Sequence, residues 1–277
     1  MRNVCKGCLV GLAGMLLFSS VASSQTREPN KPIRADEGKT VVDQLSKNGS
    51  GGPAPRQDIT GSWAGPASPK ENPVPPMTVW GEEQFRAHKS HSHYSEAESN
   101  DPMKYCDPLG FPRDMLYQTR GIAFAPMPGR MIQLSQFNRV WREIWTDGRQ
   151  LPKNVGGRSP DAPDPRWYGY SVGRWEGDYT FVVDTIGSDE RSWLDTAGHP
   201  HSIDMRVQER YTRLDHNTLE VTITVDDSKA YTKPFAITTS HFKWIPNQEL
   251  REEICVPSLM QEYLNVIGDP AGDSTGK

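Results

Sequence analysis

The feature that most constrains this chain is a series of short runs rich in β-branched and aromatic residues, recurring at hairpin spacing over 121–125, 130–137, 140–146, 168–175, 179–185, 205–214, 218–225, 235–244 and 250–255. Turn chemistry joins several of them, as at Met127-Pro128-Gly129, Thr146-Asp147-Gly148, Trp175-Glu176-Gly177-Asp178 and Asp215-His216-Asn217. Eight or nine strands in succession predict a mainly β domain, an antiparallel meander. Open edges invite pairing with other chains, so a meander of that length closes into a lipocalin-like barrel or folds as a two-sheet sandwich. No internal repeat is visible, which argues against a propeller or solenoid.

Alternation assigns faces within the runs. Trp141, Glu143 and Trp145 share one side of 140–146. Met205, Val207, Glu209 and Tyr211 share one side of 205–214, opposite Arg206, Gln208 and Arg210. Glu143 and Glu209 thus sit among apolar neighbours and are expected to face inward.

The segments before and after this region divide by composition. Residues 1–24 have the parts of a signal peptide: Arg2 and Lys6, an apolar run from Leu9 to Phe18, and the small residues Ala22 and Ser24 before Gln25. Export to the periplasm or the medium is expected, and no other segment is apolar and long enough to anchor the processed chain in a membrane. Residues 25–57 read as a flexible linker, and 58–105 as a proline-rich extension packing on the barrel. That extension carries one short helix from Trp80 to His88, opened by Thr78, with Glu82 and Glu83 where the macrodipole favours negative charge. The barrel-like domain spans 106–258 and a tail 259–277.

Of the 4 cysteines, removal of the leader leaves Cys106 and Cys255, which in an oxidising compartment are expected to form a disulfide. Two separate thiols or a metal-binding pair is the alternative. The formal net charge of −4 argues against a nucleic-acid partner.

Chemistry concentrates in the link between 185 and 205, which is longer than a hairpin needs and holds Asp189, Glu190, Trp193, Asp195, His199, His201 and Asp204 just after Asp184. His199 or His201 is suited to move a proton while Asp195 or Asp184 fixes its tautomer, and Glu209 offers a complementary acid with a pKa raised by apolar surroundings. The same residues could serve only as polar loop cladding. A metal held by His199, His201 and Asp195 or Asp204 is disfavoured by Pro200 between the histidines, so no metal and no cofactor is expected. His88, His91 and His93 read as solvated surface. There is no Gly-x-Ser-x-Gly elbow, and Asn154-Val155-Gly156-Gly157-Arg158 opens no helix that could cradle phosphate.

Trp141, Glu143, Trp145, Tyr170, Trp175, Trp193 and Arg113 are the candidates for contact with a small organic ligand, aromatic or terpenoid-like, with Trp167 and Tyr168 beside them; ordinary core packing is the rival account of each aromatic. Arg113, Arg142 and Arg174 could each hold a ligand carboxylate, although a surface position or a carboxylate inside the protein is the simpler partner.

The runs Cys106-Asp107-Pro108-Leu109-Gly110-Phe111-Pro112-Arg113, Gly173-Arg174-Trp175-Glu176-Gly177-Asp178, Val182-Val183-Asp184-Thr185-Ile186-Gly187, Gly198-His199-Pro200-His201-Ser202 and Tyr231-Thr232-Lys233-Pro234 resemble those of an uncharacterised family of exported bacterial proteins. The resemblance covers most of the chain after Asp58 and implies kinship, with no activity attached to it.

The reading that follows is an exported barrel whose mouth performs cofactor-independent acid–base chemistry on a small organic molecule, as a lyase, isomerase or hydrolase. A carrier of an apolar or aromatic ligand and an envelope interaction protein are the alternatives. Proton chemistry requires a histidine within hydrogen-bond reach of a buried carboxylate, whereas a carrier requires only a cavity.

Overall fold

The structure, a computed structural model, describes residues 49–65, 71–116, 121–246 and 248–267; the leader and residues 268–277 of the tail lie outside them. Nine strands form one closed barrel in sequence order: β1 (Gly61–Ala64), β2 (Gly121–Met127), β3 (Arg130–Ser135), β4 (Trp141–Trp145), β5 (Tyr170–Glu176), β6 (Thr180–Ile186), β7 (Arg206–Arg213), β8 (Thr218–Asp226) and β9 (Phe235–Trp244). The helices are α1 (Val79–Ala87), the single turn α2 (Arg113–Leu116) and α3 (Pro257–Ile267), with a 3-10 turn at Pro102–Tyr105. The mainly β barrel expected from the strand runs is therefore the fold, and the two-sheet sandwich is not.

The ninth strand comes from an unexpected place. Residues 250–255 form no strand and contribute a single bridge, Glu253 to Phe137. The barrel instead begins at β1, within what the proline-rich composition marks as an extension, and closes where Trp63 pairs with Trp244 and Ala64 with Lys243. A run of four residues is too short for period-two alternation to register, but the site is decisive for closure. Trp63 is fully buried and donates from Nε1 to the Ile59 carbonyl at 3.0 Å.

One seam departs from the antiparallel expectation. β4 and β5 run parallel, paired only at Ile144 with Ser171 and Trp145 with Val172. The link 146–169 is long enough to return along the barrel, which a parallel neighbour requires and a hairpin turn does not. Gly173, on the inner face of β5, permits close packing beside this seam: a Cβ there would lie 2.4 Å from Phe181 Cζ and 2.8 Å from Ile144 Cγ2.

The inward face of β7 is as expected, with Val207, Glu209 and Tyr211 buried. That of β4 is the reverse: Arg142 and Ile144 point in, while Trp141, Glu143 and Trp145 point out, Trp141 with 58% of its surface exposed. Alternation fixes which residues share a face but not which face is inside. Here a buried carboxylate from β7, out of reach of any local pattern, makes the arginine the inward residue.

The ends of the barrel differ. Tight turns join β2 to β3, β5 to β6 and β7 to β8 at one end. Residues 49–57, expected to belong to a flexible linker, are tied to that end: Arg56 pairs with Asp178 at 2.8 Å, and Asn217 N donates to the Ser50 carbonyl at 3.0 Å. The links 187–205 and 227–234, helix α1 and the segment leading to β2 gather at the other end. α1 starts as predicted, the Thr78 hydroxyl accepting from Gly81 N, and lies so close to the 227–234 link that a Cβ on Gly81 would meet the Ala230 carbonyl at 2.3 Å.

Cys106 and Cys255 are joined in a disulfide, with Cα atoms 5.4 Å apart. Neither cysteine lies in a strand, so the bond fastens α3, which replaces the start of the expected tail, to the 3-10 turn rather than closing the barrel.

Candidate functional site

The long links at the elaborated end are fixed by buried hydrogen bonds. Asp227 accepts from Ser202 N at 2.6 Å and Ser202 Oγ at 2.9 Å, and the Tyr231 hydroxyl donates to the Pro200 carbonyl at 2.6 Å. The 187–205 link is therefore a held platform, the arrangement that positions reactive side chains well.

On that platform Asp195 and His199 form a dyad. Asp195 is almost wholly buried; its Oδ1 accepts from Ala197 N at 2.9 Å and His199 N at 3.1 Å, and its Oδ2 lies 2.5 Å from His199 Nδ1. A carboxylate in that position accepts a hydrogen bond from Nδ1–H, which leaves the lone pair of the neutral tautomer on Nε2. Among the described residues Nε2 makes no hydrogen bond, and the ring stacks on Phe85 of α1 at 4.8 Å with its side chain 20% exposed.

A third ionisable group lies within electrostatic range of the dyad. Glu71, whose backbone bridges to Thr238 in β9, has its carboxyl pKa held above the ordinary value by burial and, next, by the charge of Asp195, with His199 and Arg113 opposing. A base with an open nitrogen and, within electrostatic range of it, an acid that resists ionisation are a combination suited to proton transfer. Glu71 carried no signal in the sequence: it stands alone in a proline-rich stretch, and only the fold brings it here.

The wall of this region is aromatic and ionic. Trp193 is buried, stacks on His88 at 4.8 Å and lies under the Arg113 guanidinium at 5.4 Å. Arg113, 1% exposed, is held by both oxygens of Asp101 at 2.9 and 2.5 Å. His88, expected on the solvated surface, is partly buried: its Nδ1 donates to the Gly198 carbonyl at 2.7 Å, and burial lowers its pKa.

The other sequence candidates are dispersed. His201 is buried, with Nε2 at 2.9 Å from Ser192 Oγ and Nδ1 at 3.2 Å from the Ser202 carbonyl, so both nitrogens are engaged inside the platform. Asp184 lies on the outer face of β6, paired with Arg174 and accepting from Gln208 Nε2 at 2.9 Å. Glu209 is inside the barrel, where it accepts from Arg142, from the Tyr211 hydroxyl at 2.5 Å and from Thr185 Oγ1 at 3.4 Å. Arg113, Arg142 and Arg174 each have a carboxylate of the protein as partner. Trp175 packs inward against Phe181 at 5.2 Å.

Trp141, Glu143, Trp145 and Tyr170 do come together, on the outside of the barrel. They line a groove of about 710 Å³ over the β4–β5 seam, with Trp167 and Tyr168. A neighbouring groove of about 850 Å³, lined in part by Asp184 and Arg174, shares with it the loop segment from Arg149 to Pro152. Among the described residues no three His, Cys, Asp or Glu side chains are placed to hold a metal ion, and no helix is long and apolar enough to cross a membrane.

Fold and site together define a closed, mixed nine-stranded β-barrel with a carboxylate–histidine dyad on a rigid link at its elaborated end. No protein-family model matches the chain, and no curated protein matches it.

Proposed function

We propose that the chain is an exported enzyme that performs cofactor-independent acid–base chemistry on a small organic molecule at the barrel mouth, with His199 as the base, Asp195 as the group that orients it and Glu71 as the complementary acid. The observation that carries the reading is the 2.5 Å contact between Asp195 Oδ2 and His199 Nδ1, which leaves Nε2 as the one ring nitrogen able to take a proton from a substrate. Glu71 takes the role that the sequence suggested for Glu209, because Glu209 is committed to Arg142 inside the barrel whereas Glu71 feels the charges of both members of the dyad. Export is supported by the leader pattern and by a disulfide suited to an oxidising compartment. The kinship suggested by the shared motifs is consistent with that location.

The test is a metabolite screen by mass spectrometry with wild type, His199→Ala and Glu71→Gln. A compound consumed by the wild type should be consumed at least about a hundredfold more slowly by His199→Ala, in line with loss of a general base. Equal turnover by all three proteins rejects the site.

A non-catalytic carrier is the second reading, favoured by one specific observation, the aromatic groove over the β4–β5 seam. Binding without consumption in every variant supports it.

A further inference from the structure

A histidine held through one ring nitrogen is not yet aimed. His199 is bonded from Nδ1 to Asp195 Oδ2, and among the described residues Nε2 makes no hydrogen bond. A ring tethered only there can swing about the bond, and each swing carries Nε2 off any fixed line of approach to a bound molecule. Proton transfer needs that line kept. The groups that keep it belong to α1, a helix distant in sequence from the dyad.

Phe85, in the last turn of α1, lies face to face with the imidazole, the ring centroids 4.8 Å apart and the planes 9° from parallel. Swinging the imidazole out of that plane loses the stack. His88, which caps the same end of the helix, acts on the backbone. The peptide unit between Gly198 and His199 is bonded at both of its polar groups: the Gly198 carbonyl accepts from His88 Nδ1 at 2.7 Å, and His199 N donates to Asp195 Oδ1 at 3.1 Å. Leu194 N donates to the His199 carbonyl at 2.8 Å, so the backbone of this residue is held on either side of its Cα.

The helix end and the turn meet closely. Gly198 has φ +89°, and a Cβ there would lie 3.2 Å from His88 Cβ and 3.4 Å from Ser90 Cβ. The His88 ring stacks in turn on Trp193 at 4.8 Å. α1 is anchored at both ends, Thr78 N donating to the Ala230 carbonyl at 2.9 Å and Asn100 Nδ2 to the Ala87 carbonyl at 2.9 Å. Packing of the barrel does not account for Phe85: Gly81 is the one buried residue of α1, and Phe85 stands outside the hydrophobic core.

We infer that Phe85 and His88 are positioning residues for His199: Phe85 sets the plane of its ring and His88 sets the peptide that carries it, so that Nε2 keeps one direction. The consequence for turnover rests on the reading of His199 as the base, but the positioning is measurable without a substrate.

The experiment is nitrogen NMR of the histidine rings in the full, disulfide-bonded chain, with the His199 signals identified by their loss in His199→Ala. Wild type is expected to show His199 as one tautomer, protonated at Nδ1 and bare at Nε2. Phe85→Leu keeps apolar bulk and removes the flat face; His88→Phe keeps a ring to stack on Trp193 and removes the donor. In each, the ratio of that tautomer to the other is expected to fall about fivefold, the scale of one aromatic pair or one hydrogen bond, seen as the two nitrogen signals moving toward each other. Phe85→Tyr, which restores the flat face, and His88→Asn, whose amide N–H stands where Nδ1–H stood, should return the wild-type signals. Unchanged His199 signals in both Phe85→Leu and His88→Phe overturn the assignment, as does failure of both restoring variants. A tautomer that loosens and is restored in this way, in a protein that consumes no compound, supports the positioning and counts against the proton-transfer reading alone.

Discussion

Replacing Glu209 with Gln removes one negative charge from the middle of the barrel while keeping the side chain's size, and the structure indicates what that costs. Glu209 is fully buried and accepts from Arg142, Tyr211 and Thr185. Burial is the largest influence on Arg142 and opposes its charge, yet Glu209, Tyr211 and Asp114 together outweigh it, so that the Arg142 pKa stands above its usual value. A glutamine leaves that guanidinium buried with no carboxylate bound to it and turns an amide N–H₂ toward groups that are themselves donors. Breaking a buried pair from one side costs about 3–5 kcal/mol, whereas replacing both partners with apolar residues is often close to neutral. Glu209→Gln should therefore lower unfolding free energy by about 3–5 kcal/mol in urea titrations followed by tryptophan fluorescence, with the denaturant slope unchanged. The double variant Arg142→Met, Glu209→Leu should be less damaged than Glu209→Leu alone by about 2 kcal/mol, a coupling that survives the loss of acceptors for Tyr211 and Gln133. A loss below about 1 kcal/mol for Glu209→Gln, or effects of the two positions that simply add, refutes the buried network.

Three further outcomes follow from the same physics. Burial raises the Asp114 carboxyl to about 6, against the hydrogen bond from Ser135 and the charge of Arg142. A raised acid contributes stability below its unfolded pKa that is lost as pH rises through the folded value, so stability should fall between about pH 4 and pH 6, and Asp114→Asn should flatten that slope in thermal melts taken across the range. Gly173→Ala places a methyl group against Phe181 and Ile144 beside the parallel seam, with an expected loss of roughly 1–3 kcal/mol by overpacking, read from the urea midpoint. Reduction of Cys106–Cys255 should raise amide hydrogen exchange in α3 and leave β7 and β8 protected, since the strands close without the disulfide; loss of protection throughout the barrel contradicts this.

Sequence patterns reached the barrel because eight of its strands are long enough to display period-two alternation or β-branched enrichment, and their order along the chain is their order in space. They missed β1 because four residues show no period, and they placed a strand at 250–255 on Leu250, Ile254 and Cys255, although the three charged residues between them give no alternation. Face assignment succeeded at Glu209, where the opposite face is charged, and failed at Glu143, where the arginine between two tryptophans turned out to be the buried residue. In the site, Asp195 and His199 were legible because they are four residues apart in one conspicuous link. Asp184 and His201 were equally conspicuous and do not join them: strand alternation sends the first to the outer surface, and the second turns into the platform. Glu71 lies far from the dyad in sequence, and a proximity created by a segment that bridges to β9 leaves no local mark.

The central claim is proton transfer through His199 Nε2. The most direct measurement is incubation of the protein with pooled small organic acids, ketones and esters in heavy water, followed by mass spectrometry for deuterium fixed on carbon and for hydrolysis products. Wild type is expected to label or cleave at least one compound, and His199→Ala, folded to the same thermal midpoint, to leave it untouched. Label or cleavage appearing at the same rate with His199→Ala, or a pool the wild type leaves unaltered, contradicts it.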